Sequence, residues 1–217
     1  MNTIKNKELK KRITDISYRK GLSHLGSVLT AVDIIDEIFK IKKPDEKFVL
    51  SSGHAGLALY VVLEKYGGKN AEDIFDHHGV HPDRCSSCNI DCSAGSLGHG
   101  IGIAVGMALA DRNKNVYCLI SDGECAEGSV WEALRIYKEH SLSNLKIYVN
   151  INSYAAYQKI DNQWLMNRLW NYELLRMSFN IRENNFDLLL PILREPQEAH
   201  YKTLNKEEYT YLMGILK

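Results

Sequence analysis

The two stretches VYCLISDGECAEG (residues 116–128) and LKIYVNIN (residues 145–152) decide the fold. Val116–Ile120 is apolar throughout, which is typical of a strand buried on both faces of a parallel sheet. Leu145–Ile151 is predicted as the next strand, and Glu127–His140 between them has helical spacing. This order predicts a βαβ unit with a right-handed crossover.

Two polar residues stand where these strands end. Asp122 follows the first strand and Asn152 ends the second. Parallel strands finish at the same edge of a sheet, where open α/β folds bind ligands. A carboxylate and an amide oxygen there are suited to Mg²⁺ or Ca²⁺. The spacing fits equally well a plain turn at Asp122-Gly123 with a strand-end cap at Asn152.

Other elements follow from periodicity and from cap residues. Thr30 is predicted to cap a helix, with Asp33 completing a capping box. A polar loop is expected at about 77–94. The remaining predictions are helices at Ile4–Lys20, Thr30–Lys40, Ala55–Tyr66, Gly98–Ala110, Gln163–Ser178 and from Asn205, a strand at Phe48–Leu50, and an apolar run at Phe186–Leu193.

Composition predicts one ordinary globular domain, residues 1–217. Lys+Arg and Asp+Glu both total 27. This balance gives no reason to expect nucleic acid or a membrane as a partner. Neither a signal peptide nor a transmembrane stretch is recognised. Five cysteines without an export signal predict free thiols and a cytoplasmic protein.

Five motifs in order, spread over residues 20–155, resemble those of transketolases. They are SHLG (23–26), KFVLSSGHA (47–55), HPD (81–83), AGSLGHGI (94–101) and the thiamine diphosphate signature SDGECAEGSVWEA (121–133) with NLKIYVNIN (144–152). The resemblance implies the thiamine diphosphate-binding fold: α/β, with a mostly parallel sheet and helices on both faces. It also implies thiamine diphosphate and Mg²⁺ (or Ca²⁺) as cofactors.

The resemblance assigns roles to individual residues. It implies metal ligation by the side chains of Asp122 and Asn152 and by the backbone oxygen of Tyr154. Three histidines would face the reacting carbon and the sugar hydroxyls: His24, His54 and His81. Residues implied to contact the cofactor are Gly95, Leu97, Ser121, Gly123 and His54. The implied contacts with a partner domain are Glu127 and Glu132.

The sequence departs from the family pattern at several points. Ser121 replaces a usual glycine, Asn150 a usual aspartate and His99 a usual glutamine. The C-terminal third, 156–217, is shortened and divergent, and the family's Lys-Gly-x-Gly loop is not found in it. His200, within EAHYKTLNKEEY (198–209), matches the family's last active-site histidine. These departures bear on substrate enclosure more than on cofactor binding.

Nothing in the 217 residues resembles the pyrimidine-binding domain that completes a transketolase site. The resemblance therefore implies the N-terminal subunit of a split transketolase, which would act with a C-terminal pyrimidine-binding subunit in a heterotetramer. Such an enzyme would transfer a two-carbon ketol unit from a ketose phosphate to an aldose. The alternative is a non-catalytic binding or scaffold subunit that kept the fold.

Two further patterns have weaker meanings. Cys85, Cys88 and Cys92 could bind zinc or an iron–sulfur cluster, but one Cys-x-x-Cys pair plus a third cysteine is more typical of ordinary loop thiols. The run Gly98-x-Gly100-x-Gly102 follows a polar loop rather than a strand, so it does not indicate dinucleotide binding.

Overall fold

The computed structural model describes residues 4–155, 158–172, 176–179 and 201–217, and their strands form one sheet. In that sheet the strands lie in the order β1-β2-β3-β4, and every neighbouring pair is parallel. Their bounds are β1 Lys47–Leu50, β2 Val116–Ser121, β3 Leu145–Ile151 and β4 Arg176–Phe179.

Helices precede, separate and follow these strands. In chain order they are α1 Lys7–Lys20, α2 Leu25–Ile41, α3 Gly56–Lys65, α4 Ala71–His78, α5 His99–Ala110, α6 Gly128–Glu139, α7 Asn162–Leu169 and α8 Lys206–Ile215. Short 3₁₀ turns lie at Gly53–Ala55, Ser86–Cys88, Gly123–Ala126 and Trp170–Tyr172.

The sheet separates two apolar layers because successive strand residues point to opposite faces. Phe48 and Leu50 of β1 pack with α1, α2, α3 and α8. Val49, between them, packs on the other face with α5, α6 and α7. All six residues of β2 are buried. The predicted α/β class, with a parallel sheet and helices on both faces, is confirmed.

The predicted start of α2 was wrong. The helix begins at Leu25, after His24 in a left-handed conformation (φ 62°), so Thr30 lies inside it. The hydroxyl of Thr30 donates to the carbonyl of Gly26 at 2.9 Å instead of capping. Burial explains the difference, because the apolar stripe continues back through Val28 to Leu25 and stabilises another helical turn.

The predicted helix Gln163–Ser178 was only partly right. The helix ends at Leu169, and Arg176–Phe179 forms β4 beside β3. Residues 176–179 pair with the open edge of β3, and the backbone hydrogen bonds gained there outweigh the local preference for a helix. The apolar run Phe186–Leu193 lies outside the described residues.

Helix α4 was not predicted from the sequence. Asn70 caps this helix, and its side chain accepts a hydrogen bond from the Glu72 amide at 2.9 Å.

Across the described ranges, no helix combines the length and apolarity that a membrane crossing requires.

Candidate active site

Asp122 and Asn152 lie side by side where β2 and β3 end. Strand register pairs Ser121 with Asn150, and the Asp122 amide donates to the Asn150 carbonyl at 3.0 Å. Oδ2 of Asp122 accepts hydrogen bonds from the amides of Asn152 at 2.9 Å and Ser153 at 2.7 Å. The two residues that the sequence placed at one sheet edge are therefore in direct contact.

The Asp122 carboxylate is buried, and its hydrogen-bond donors are backbone amides. Only 2% of the residue is exposed, and Oδ1 accepts a further hydrogen bond from the Gly123 amide at 2.9 Å. Within the described ranges no lysine or arginine pairs with it. Burial raises the pKa of Asp122 to about 7, although the hydrogen bonds from the Ser153, Gly123 and Asn152 amides oppose this shift. A bound cation would supply the missing positive charge.

A tight turn after β3 orients the neighbouring oxygen donors. Ser153 has a left-handed backbone (φ 72°), and the Tyr154 amide donates to Oδ1 of Asn152 at 3.1 Å. Tyr154 also forms an isolated antiparallel bridge with Lys159. Asn152 is buried, with only 8% of the residue exposed. Carboxylate, amide and carbonyl oxygens at this edge form a hard donor set that fits Mg²⁺ or Ca²⁺.

A cleft of about 170 Å³ opens next to this pair. The residues that line it come from the ends of β2 and β3, from the start of α2 and from the loops after β1 and α4. They are His24, Ser27, His54, His81, Gly95, Leu97, Ser121, Asp122, Gly123, Asn152, Tyr154 and Ala155.

The histidines that line the cleft come from three separate loops. The rings of His24 and His54 lie 5.6 Å apart between centroids, and Nδ1 of His24 is 2.8 Å from the Ser23 hydroxyl. The ring of His81 packs against Gly95, where a Cβ atom would lie 3.4 Å from it. At this distance a Cβ would be in ordinary van der Waals contact with the ring, and glycine leaves that space free.

The side chain of Glu124 stabilises the backbone segments next to the cleft by hydrogen bonds. It is fully buried and accepts hydrogen bonds from the Ser51 hydroxyl at 2.7 Å, the Gly98 amide at 2.9 Å and the Ser121 amide at 3.0 Å. Burial raises the pKa of Glu124, while these hydrogen bonds lower it. The carboxylate thereby joins the ends of β1 and β2 to the start of α5.

Two of the three departures from the family pattern have local hydrogen-bond partners. Ser121 accepts a hydrogen bond from the Glu124 amide at 3.3 Å through its hydroxyl. Asn150 is buried, and its amide group donates to the Thr30 hydroxyl at 2.9 Å, which ties β3 to α2. His99 is exposed at the start of α5 and does not line the cleft.

The two residues predicted at a partner contact do not line the cleft. Glu127 is half-buried just before α6, and its Cβ lies 2.9 Å from the position that a Cβ on Gly98 would take. Glu132 is exposed and forms an ion pair with Arg135 at 2.5 Å. His200 lies outside the described residues.

Three residues of the site were missed from the sequence. Ser27 and Ala155 line the cleft, and Glu124 lies behind it. A signal existed for Glu124, because an ionisable residue two positions after Asp122 reaches the same strand end. No pattern in the sequence distinguished Ser27 or Ala155.

The family model for the thiamine diphosphate binding domain of transketolase matches residues 14–164. The chain belongs to the transketolase family. The matched part contains the lining residues of the cleft, from His24 to Ala155.

Individual transketolases are similar to this chain over part of their length. An apulose-4-phosphate transketolase subunit from Phocaeicola vulgatus is 31% identical over 169 residues, which cover 69% of this chain and 60% of that protein. Transketolase-like protein 2 of Bos taurus is 34% identical over 154 residues, 61% of this chain. That match covers only 24% of the bovine protein, so the chain corresponds to about a quarter of its length.

Solved transketolase structures share the fold. A transketolase variant from Pichia stipitis superposes with a TM-score of 0.66 at 20% sequence identity, covering 91% of this chain and 34% of that one.

Proposed function

We propose that this chain is the N-terminal subunit of a two-chain, thiamine diphosphate-dependent transketolase. It would transfer a two-carbon ketol unit from a ketose phosphate donor to an aldose acceptor. The observation that best supports the proposal is the contact between Asp122 and Asn152 beside a cleft lined by three histidines. A transketolase-family domain needs this combination of a cation site for a diphosphate and proton-carrying groups for a sugar.

The proposed metal is Mg²⁺ (or Ca²⁺), held by the side chains of Asp122 and Asn152 and the backbone oxygen of Tyr154. The carboxylate of Asp122 is buried and pairs with no lysine or arginine of the described residues, which supports this assignment. Mg²⁺ commonly takes only a few protein ligands and completes its shell with phosphate oxygens and water. The diphosphate of the cofactor would supply those oxygens.

Thiamine diphosphate, when bound, supplies the carbanion and the electron sink of the reaction. The chain would then bind and orient it through Gly95, Leu97, Ser121 and Gly123, which line the cleft. The absence of a side chain at Gly123 lets the backbone approach the diphosphate closely.

The histidines would bind the sugar by hydrogen bonds and transfer protons. His24, His54 and His81 line the cleft, and imidazole groups can donate or accept protons near neutral pH. They would hydrogen-bond to sugar hydroxyls and to the oxygen that gains charge as bonds form and break. His200 stays a prediction for the same role.

A second chain would complete the site. Small-molecule pockets usually enclose about 300–1,000 Å³, whereas this cleft encloses about 170 Å³. A C-terminal, pyrimidine-binding subunit would cover the remainder, in a heterotetramer. The Phocaeicola vulgatus relative is itself one subunit of a transketolase, and this supports a divided enzyme.

The exposed face of α5 is the surface that fits such a partner. This face, named here the α5 stripe, carries the small or apolar residues Gly102, Ile103, Gly106, Leu109 and Ala110, and the exposed His99 stands at its start. Ile103 and Leu109 are 43% and 39% exposed, and contiguous exposed apolar surface marks interaction sites. Glu127, predicted at the partner contact, lies beside Gly98 just before this helix.

Calorimetry tests the proposal directly. Thiamine diphosphate and Mg²⁺ are titrated into the chain alone and into its mixture with the product of the adjacent reading frame. Binding that requires both metal and partner, followed by ketol transfer, supports the divided enzyme. Absence of binding in both mixtures contradicts it and favours the non-catalytic scaffold.

A further inference from the structure

A second cluster of metal-binding side chains lies outside the cleft, at the end of α4. His78, Cys85 and Cys88 each present one ligand atom, and these atoms all lie within 4.8 Å of one another. Nε2 of His78 is buried and has no hydrogen-bond partner among the described residues. Cys92 does not join the cluster, and its thiol donates to the Ser93 carbonyl at 3.1 Å.

We propose that His78, Cys85 and Cys88 bind a zinc ion. Zinc is held by thiolate sulfur at about 2.3 Å and imidazole nitrogen at about 2.0 Å, which places the ligand atoms about 3.5–3.8 Å apart on a tetrahedron. A contraction of about 1 Å by side-chain rotation closes the cluster to that size. Water takes the fourth position.

The chemistry of the ligands separates this site from the one in the cleft. Sulfur and imidazole nitrogen are soft or borderline ligands that select zinc over Mg²⁺ or Ca²⁺. Asp122 and Asn152 offer only oxygen, which favours the hard cations. Two different metals would therefore bind this chain without competing for the same residues.

A hydrogen-bonded backbone turn carries the two cysteines of the cluster. Cys85 and Ile90 exchange two backbone hydrogen bonds, each of 2.9 Å, which close a tight turn with both thiols on it. All the cysteines are free. Nζ of Lys69 lies 3.9 Å from Sγ of Cys88, but this side chain is exposed and can turn out to solvent when the metal binds.

The ion would fix the loop that places His81 at the cleft. It would connect the last residue of α4 to the turn at Cys85–Cys88 and so close the short segment that carries His81. Next to His81, the Pro82 carbonyl accepts a hydrogen bond from the Ala94 amide at 2.9 Å, beside Gly95. Zinc would therefore position His81 against the rest of the cleft.

Metal analysis of the whole chain, purified with a reductant and supplied with zinc, tests the site. After desalting, the wild-type chain should retain about one zinc ion. Cobalt in its place should give tetrahedral d–d bands and sulfur-to-metal charge-transfer absorption. Cys85→Ser and Cys88→Ser should each weaken zinc binding by at least about 100-fold, since they remove a direct ligand.

Cys92→Ser is the matched control and should retain zinc like the wild type. Circular dichroism establishes that each variant is folded. Failure of the wild-type chain to retain zinc, equal retention by Cys88→Ser, or a Cys85–Cys88 disulfide in the purified chain would each overturn the proposal.

Trypsin gives a second readout, independent of activity. Arg84 is exposed within the segment that the metal would close. Removing zinc with a chelator should speed cleavage after Arg84 in the wild type and leave the rate in Cys85→Ser unchanged. An identical rate with and without zinc in the wild type contradicts the role of the metal in fixing this loop.

Discussion

The buried carboxylate of Glu124, just after β2, accepts a hydrogen bond of 2.7 Å from the hydroxyl of Ser51, just after β1. The same group also accepts from the Gly98 and Ser121 amides. A single side chain therefore holds together the strand ends and the helix start that surround the cleft.

Glu124→Ala should destabilise the chain strongly. It leaves these buried donors without an acceptor, and the expected loss in the free energy of unfolding is about 3 kcal/mol or more. Urea denaturation measures it. The control Glu139→Ala removes only an exposed ion pair with Arg135 and should cost less than about 1 kcal/mol. Equal losses in the two variants would contradict the role assigned to Glu124.

Asp122→Asn should abolish metal-dependent cofactor binding. The substitution removes the charge that faces the cation and replaces one of the two oxygens that accept from backbone amides by an NH2 group, so binding should weaken at least about 100-fold. Calorimetry with Mg²⁺, thiamine diphosphate and the partner measures this. Asp45→Asn, at an exposed ion pair with Lys114, should bind like the wild type. Unchanged binding by Asp122→Asn would refute the metal assignment.

Two glycines of α5 should respond to alanine in opposite directions. A Cβ at Gly100 would lie 2.6 Å from the Ser51 Cα, so Gly100→Ala must push the helix away from β1. The expected cost is about 1–3 kcal/mol. Gly102 has open space around its Cα, and Gly102→Ala should stabilise the helix by about 0.5–1 kcal/mol. Denaturation midpoints compare the two variants, and the same sign for both would disprove the close approach.

The surface network around Glu72 should make stability depend on pH. Hydrogen bonds from Arg19 and then from Arg12 lower the pKa of Glu72 from 4.5 to about 2. The unfolded chain therefore binds the proton more tightly, so the stabilisation is present above the unfolded pKa and is lost as pH falls toward 2.

Glu72→Gln should thus reduce the free energy of unfolding by about 1 kcal/mol at neutral pH and by much less in acid. Urea titrations of both proteins across this range measure the difference. A constant difference at every pH would show that packing rather than charge accounts for the effect.

Local patterns in the sequence were sufficient for the central strands and for the sheet edge at which Asp122 and Asn152 lie. Val116–Ile120 of β2 is apolar throughout, and adjacent parallel strands end at one edge, where Asp122 and Asn152 lie together as predicted. Glu124 escaped this reasoning because its partners Ser51 and Gly98 lie 73 and 26 residues away. The start of α2 was misjudged because burial of Leu25 outweighed a cap signal at Thr30.

The amides that hold Asp122 belong to the main chain, at residues 123, 152 and 153. Their direction is set by the path of the backbone and does not change when the side chains of those residues are exchanged. Mutations near the site can therefore accumulate without turning the carboxylate away from these amides. Related chains could therefore differ in the other residues of the cleft while this carboxylate keeps the same position and the same hydrogen bonds.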